Sequence, residues 1–207
     1  MKVTRRHFLQ KLSIGATLVA AGGVQFLSAQ TVSRLTKKSI LRFALASDGH
    51  YGQPKTAFEA TFEATVLAIN SFHAKNPLEA CFVNGDIIHN DGSLLLAAKA
   101  KLDALTMPYY VTKGNHDMVS DAHWQEVWKI PVNHEVKIGA NTFLLMTTSD
   151  EKGTYLPPNL DWLHQQLIAH QKQQNVFLVL HIPQRKWTAN GIDTPAFFEL
   201  IAKYANI

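Results

Sequence analysis

Residues 108–117, Pro-Tyr-Tyr-Val-Thr-Lys-Gly-Asn-His-Asp, pass from a short apolar run straight into a cluster of turn-forming, chemistry-bearing side chains. The same layout recurs on both sides. Upstream, Ile40 to Ala46 breaks at Ser47-Asp48-Gly49-His50, and Ala80 to Val83 breaks at Asn84-Gly85-Asp86; downstream, Val176 to Leu180 ends at His181. Between the first two runs, Phe58, Phe62, Val66, Ile69 and Phe72 fall at helical spacing. Ala97, Leu102 and Leu105 predict a second helix before the third run. Short strands separated by crossover helices define an α/β chain and predict a layered αββα architecture.

After the third run, Asp121 is expected to cap a helix carrying Trp124 and Val127, with Pro131 beyond its end. Val136 to Ile138 and Thr142 to Met146 flank Gly139-Ala140-Asn141 as a hairpin. Pro157 and Pro158 precede a helix with Leu160, Leu163 and Leu167 on one face, and Thr194-Pro195-Ala196 opens another holding Phe197, Leu200 and Ile201. No internal repeat or low-complexity tract interrupts this pattern.

In sheets fed by crossover helices, functional groups gather beyond the carboxyl ends of the strands. Four strand ends here deliver metal-competent side chains: Asp48 and His50, then Asp86, then Asn115 and His116, then His181. A Gly-Asp pair or a lone histidine would be ordinary turn chemistry. Four such ends in one chain point to a pair of divalent cations about 3.5–4 Å apart, which need a shared anionic ligand and separate nitrogen and oxygen donors. Asp86 is the natural bridge. Gly49, Gly85 and Gly114 permit the tight turns that would gather these groups. Such a cation pair lowers the pKa of a bridging water to about 7 and orients a phosphate, so phosphate-ester hydrolysis is the expected chemistry.

Asp48-x-His50, Gly85-Asp86, Gly114-Asn115-His116-Asp117 and His181 together resemble the ordered motif set of the calcineurin-like metallophosphoesterases. The resemblance runs from about Ile40 onward, and the Leu144-to-Leu167 region is similar to that family's strand, loop and Trp-Leu helix. It implies a metallophosphoesterase-like fold. It also implies a first metal held by Asp48, His50 and Asp86 and a second held by Asp86, Asn115 and His181. His116 would face the substrate as a proton donor or charge stabiliser, with Asp117 holding its ring in orientation. The metals would be two divalent or trivalent ions, Fe, Mn or Zn. In purple acid phosphatases a tyrosine follows the bridging aspartate by three residues; His89 stands there in this chain, so a purple iron centre is not expected.

The resemblance also implies a later strand ending in Gly-His-x-His, whose histidines ligate one metal each. That motif is missing, and the domain is read as incomplete at its carboxyl end, with one ligand fewer per metal, no efficient catalysis expected of these 207 residues, and an unpaired edge beside Val176 to Leu180. A second reading is a non-catalytic exported binding protein that keeps the scaffold and a partial metal site. His89 and Asn90 are left outside the ligand set, as second contacts or as a solvated loop. His164 and His170 are assigned to the wet face of a helix, and His73, His123 and His134 have no ligand-like neighbours. Trp124, Trp128 and Trp162 are read as packing residues. Cys81, the only cysteine, sits between apolar neighbours as a buried small residue.

With 46% apolar and 17% charged residues, the 207-residue chain is neither a disordered tail nor a fibrous repeat. Its net charge of +4 resides in Lys2, Arg5, Arg6 and Lys11, within a first stretch that has no acid; beyond position 29 basic and acidic residues balance. No nucleic-acid partner is therefore expected. Arg5-Arg6-His7-Phe8-Leu9 resembles a twin-arginine (Tat) export signal, followed by a weakly apolar stretch and the small residues Leu27-Ser28-Ala29 for cleavage. Residues 1–29 are read as this signal, 30–39 as a linker and 40–207 as the phosphoesterase domain. The expected partners are the Tat export machinery and a small-molecule phosphate ester. The expected location is periplasmic or otherwise exported, without a stable membrane anchor.

Overall fold

The computed structural model describes residues 17–20, 23–26 and 41–207. The Arg5-Arg6 pair, the Leu27-Ser28-Ala29 cleavage site and segment 30–39 lie outside the described residues. The chain divides into two units, Met1–Leu41 and Arg42–Ile207. In the first, β1 (Thr17–Ala20) and β2 (Gly23–Phe26) pair antiparallel. Among the described residues, no helix is long and apolar enough to cross a membrane.

The second unit starts with two βαβ crossovers. β3 (Phe43–Ala46) leads through α1 (Phe58–Lys75) to β4 (Ala80–Asn84), and β4 leads through α2 (Leu95–Leu102) to β5 (Tyr109–Thr112). The three strands form a parallel sheet in the order β3-β4-β5. α3 (Asp121–Trp128) follows, then the hairpin of β6 (His134–Ile138) and β7 (Asn141–Met146), then α4 (Leu160–Ala169), β8 (Asn175–Leu180) and α5 (Pro195–Ile201). β6-β7-β8 make a second sheet, antiparallel in the hairpin and parallel between β7 and β8.

Alternation along the strands assigns each sheet two working faces. Cys81, Val83 and Val111 turn toward the helices and join Phe62, Val66, Leu95, Ala98, Leu102 and Trp124 in one core. Leu144, Met146 and Val176 do the same with Leu163 and Leu167 of α4 and Phe197 and Leu200 of α5. The opposite faces meet through aromatic rings. Phe82 stacks on Phe143 at 4.2 Å, Phe143 stacks on Phe177 at 4.6 Å, and Phe43 packs edge-on against all three. Such pairs contribute about 0.5–1.5 kcal/mol each beyond their burial. The result is the αββα layering expected from the sequence.

Several local expectations need correction. The buried face of α2 is Leu95, Ala98 and Leu102, continued by Leu105, whereas Ala97 is exposed. Phe72 is likewise exposed, because α1 buries only Phe62 and Val66 fully. Ser120, not Asp121, caps α3: its side chain accepts the His123 N–H. Asp121 instead takes the buried Lys113 ammonium at 2.5 Å, which neutralises a cation that could not otherwise be buried. His170 is buried rather than wet; it ends α4 and pairs with Glu135 of β6. The β8 edge receives one bond, from the Val176 N–H to the Asn206 carbonyl at 2.7 Å.

Cys81 is fully buried, and burial pushes its thiol up to about 11. The native protein at pH 8 is therefore expected to leave a thiol reagent unconsumed and to release one equivalent of reactive thiol only when unfolded in guanidinium. Rapid native labelling would contradict the packing of β4 against α1 and α2.

Candidate metal centre

The loops after β3 and β4 are zipped together by backbone bonds. Asp48 N–H donates to Gly85 O (3.2 Å), His50 N–H to Asp86 O (2.8 Å) and Tyr51 N–H to Ile87 O (2.8 Å). The geometry requires left-handed backbone at three side chains that are not glycine: Asp48 (φ 58°), His50 (φ 45°) and Asp86 (φ 52°). Backbone strain of this kind costs on the order of 1–3 kcal/mol per residue and collects at functional sites. Here it turns all three side chains to one place.

Asp86 stands at the centre, 3% exposed. One carboxylate oxygen accepts the His116 backbone N–H at 2.8 Å; the other lies 3.2 Å from His181 Nε2 and 3.7 Å from His50 Nε2. Burial alone would raise its pKa, but the His181 and His116 contacts outweigh burial and hold the group below the usual carboxylate range. Gly114 makes this arrangement possible, since a Cβ there would come within 2.3 Å of both the Asp86 nitrogen and its carboxylate.

His181 arrives from the other sheet. Its Nδ1 donates to the Asn84 carbonyl at 2.7 Å, which leaves Nε2 for Asp86. Asn84 adds two further ties: its amide donates to Leu180 O at 3.0 Å, and its side-chain oxygen accepts from the Thr112 hydroxyl at 2.8 Å. The ends of β4, β5 and β8 are thus fastened around one residue. Burial pulls the His181 pKa down, but the bond and charge of Asp86 overcome this and raise it. His50 is lowered, with burial as the leading cause and the His116 charge adding to it, against the opposing pull of Asp86.

Asp48, His50, Asp86, Asn115, His116 and His181 all line one open cavity of about 330 Å³. Candidate ligand atoms of Asp48, His50 and Asp86 lie within 4.8 Å of one another. The cavity wall is completed by Ser47, Tyr155, Ile182, Pro183 and Asn190. Tyr155 and Asn190 come from loops with no motif of their own, so no sequence pattern marked them.

Asp117 is the exception among the expected site residues. It is fully buried, and its two oxygens accept the Ile88 N–H at 2.9 Å and the Gly114 N–H at 2.8 Å. Burial pushes its pKa up to about 7 against those two bonds. The His116 ring is held instead by Asn90, whose Oδ1 lies 2.7 Å from His116 Nδ1. Asn90, itself left-handed at φ 64°, also donates its N–H to the His116 carbonyl at 2.9 Å. The side chain beside His116 in sequence points inward to pin the turn, and a residue of the preceding loop orients the ring. His89 also joins the cluster: its ring stacks on His116 at 4.9 Å and its Nδ1 lies 3.3 Å from His50 Nδ1.

The calcineurin-like phosphoesterase family model matches residues 41–201. With most of its length inside that match, the chain belongs to the calcineurin-like phosphoesterases, and phosphoester hydrolysis is its activity at the level of the family. The fold is similar to that of a dimetal phosphatase from Danio rerio, with a TM-score of 0.58 at 15% identity, over 79% of this chain and 76% of that one. A weaker likeness, TM-score 0.43 at 16% identity, links 68% of this chain to 34% of the NAD nucleotidase of Haemophilus influenzae. No curated protein sequence matches the chain.

Replacing Asp117 with Ala strands two buried N–H groups, at about 1–3 kcal/mol each. Urea unfolding is expected to show a loss of that order for Asp117→Ala. Wild-type stability together with abolished catalysis would restore Asp117 to the reaction.

Proposed function

We propose that this chain is an exported phosphoesterase that uses two metal ions to hydrolyse phosphate mono- or diesters in the Asp86 cavity. The observation that carries this reading is the convergence of Asp48, His50, Asp86, Asn115 and His181, delivered by four separate strand ends, on one cavity around a buried carboxylate. The donors fit a cation. They are carboxylate and amide oxygens with imidazole nitrogens, the set that suits Mn, Fe or Zn. His181, its Nδ1 proton committed to Asn84, turns Nε2 to the Asp86 carboxylate at 3.2 Å, where a proton joins the two groups in the metal-free chain and a cation would take that proton's place.

Asp48, His50 and Asp86 would hold one ion, and Asp86, Asn115 and His181 the other. Bound there, the ions would supply charge to polarise the phosphoryl group and activate water. His116 would act on the leaving group. Its Nδ1 proton is engaged by Asn90, so Nε2 is the atom that would give a proton to the departing oxygen or bind phosphoryl charge. The cavity, open and lined mainly by polar groups, suits a small phosphate ester. The Gly-His-x-His histidines implied by the family resemblance are not among the 207 residues, which leaves each ion one implied ligand fewer. Export rests on the twin-arginine segment at Arg5-Arg6: residues 1–29 as its signal, passage through the Tat machinery and delivery to the periplasm.

With p-nitrophenyl phosphate and its bis-ester as substrates, the 207-residue chain, one implied ligand short at each ion, is expected to turn over weakly, only with Mn²⁺ or Zn²⁺, and to fall silent after chelation. Asp86→Ala should lose both metal and activity. His116→Ala should keep its metal and lose about 10²–10⁴-fold in kcat. Turnover indifferent to chelation or to either substitution would overturn the reading, and metal uptake without any turnover would favour the exported binding protein instead.

A further inference from the structure

Three imidazoles, those of His50, His89 and His116, place nitrogen atoms within 4.8 Å of one another, and only His89 has no part in the function proposed above. Its surroundings give it one. His50 turns Nε2 toward Asp48 Oδ1 at 3.9 Å and Asp86 Oδ2 at 3.7 Å, so Nε2 is the nitrogen that must carry a lone pair if a cation sits there. The proton of the neutral ring then belongs on Nδ1. That atom is 3.3 Å from His89 Nδ1, which has to be the acceptor, with the His89 proton on Nε2.

The His89 ring is placed for this from three sides. Its backbone N–H is tied to Tyr51 O at 2.9 Å, one residue beyond His50. Its face lies nearly parallel to His116, at 11° and 4.9 Å, and the His50 ring packs against it at 69° and 5.2 Å. Metal-binding histidines almost always give their second N–H to a carboxylate, carbonyl or water, and removing that acceptor costs 10–100-fold in metal affinity. His181 follows that rule through Asn84 O. For His50, the acceptor is another imidazole.

We propose that His89 is a positioning residue, accepting the Nδ1 proton of His50 to fix its tautomer while its ring face supports His116. The proposal rests on His50 holding a metal.

The test uses the ¹⁵N-labelled 207-residue chain titrated with Zn²⁺ by calorimetry and by long-range ¹H–¹⁵N correlation of the imidazoles. In the zinc-loaded wild type, His50 should be protonated at Nδ1 and His89 at Nε2. His89→Phe, which keeps a ring against His116 but offers no acceptor, should bind zinc about 10–100-fold more weakly while its metal-free melting temperature stays at the wild-type value. His89→Asn, whose Oδ1 stands where Nδ1 stood, should recover tight binding. Wild-type affinity in His89→Phe, or a His50 proton on Nε2, would overturn the assignment. So would the loss of a whole zinc equivalent in His89→Asn, which would make His89 a ligand. A wild type that takes up no zinc refutes the metal reading itself, and the role of His89 falls with it.

Discussion

Burying the Asp86 carboxylate is the constraint on which the rest of this structure turns. An isolated charge in such a position would cost several kcal/mol, a large share of a folded domain's stability, so it has to be met by donors and cations. The protein meets it with the His116 N–H on one oxygen and two imidazoles on the other. Each of these brings its own strand end. His116 requires the turn at Gly114, where no Cβ fits against Asp86, and His181 requires Gly85, where a Cβ would strike its ring at 2.5 Å. The left-handed backbone at Asp48, His50 and Asp86 belongs to the same account: local strain is accepted where it aims several polar groups at one point.

Such a point exists only if the two sheets keep register, and Asn84 links that register to the site. The aromatic faces that press the sheets together are slippery in detail, since stacked rings tolerate small shifts. Asn84 is not. Its amide, side-chain oxygen and carbonyl bind Leu180, Thr112 and His181 respectively, so the end of β8 cannot move relative to β4 and β5 without breaking directional bonds. Packing supplies the bulk of the stability, and one polar residue supplies the alignment.

Strands, layer order and the convergence of Asp48, His50, Asp86, Asn115, His116 and His181 were legible because they rest on periodicity and on where strands stop. Other features were not. Asp117 sits next to His116 in sequence, yet its side chain is aimed away by the turn it pins, and adjacency along a chain says little about adjacency of side chains in a tight turn. Asn90 and His89 follow Asp86 by a few residues, where loops and ligands look alike; only the backbone bonds to His116 and Tyr51 show that this loop is fixed. The sequence pattern at Ala97 does not mark the buried face of α2, because a short helix rich in alanine and leucine fits more than one phase, whereas the observed 95, 98, 102, 105 series is set by what lies beneath it. His170 stands among glutamines that signal a wet surface, but it ends the helix and turns inward to Glu135.

The most direct measurement of the central claim is an anomalous difference map from crystals grown with Mn²⁺. Two peaks about 3.5–4 Å apart are expected, flanking the Asp86 carboxylate, with Asp48 and His50 beside one and Asn115 and His181 beside the other. No peak at Asp86, or manganese bound only at carboxylates elsewhere on the surface, would contradict it.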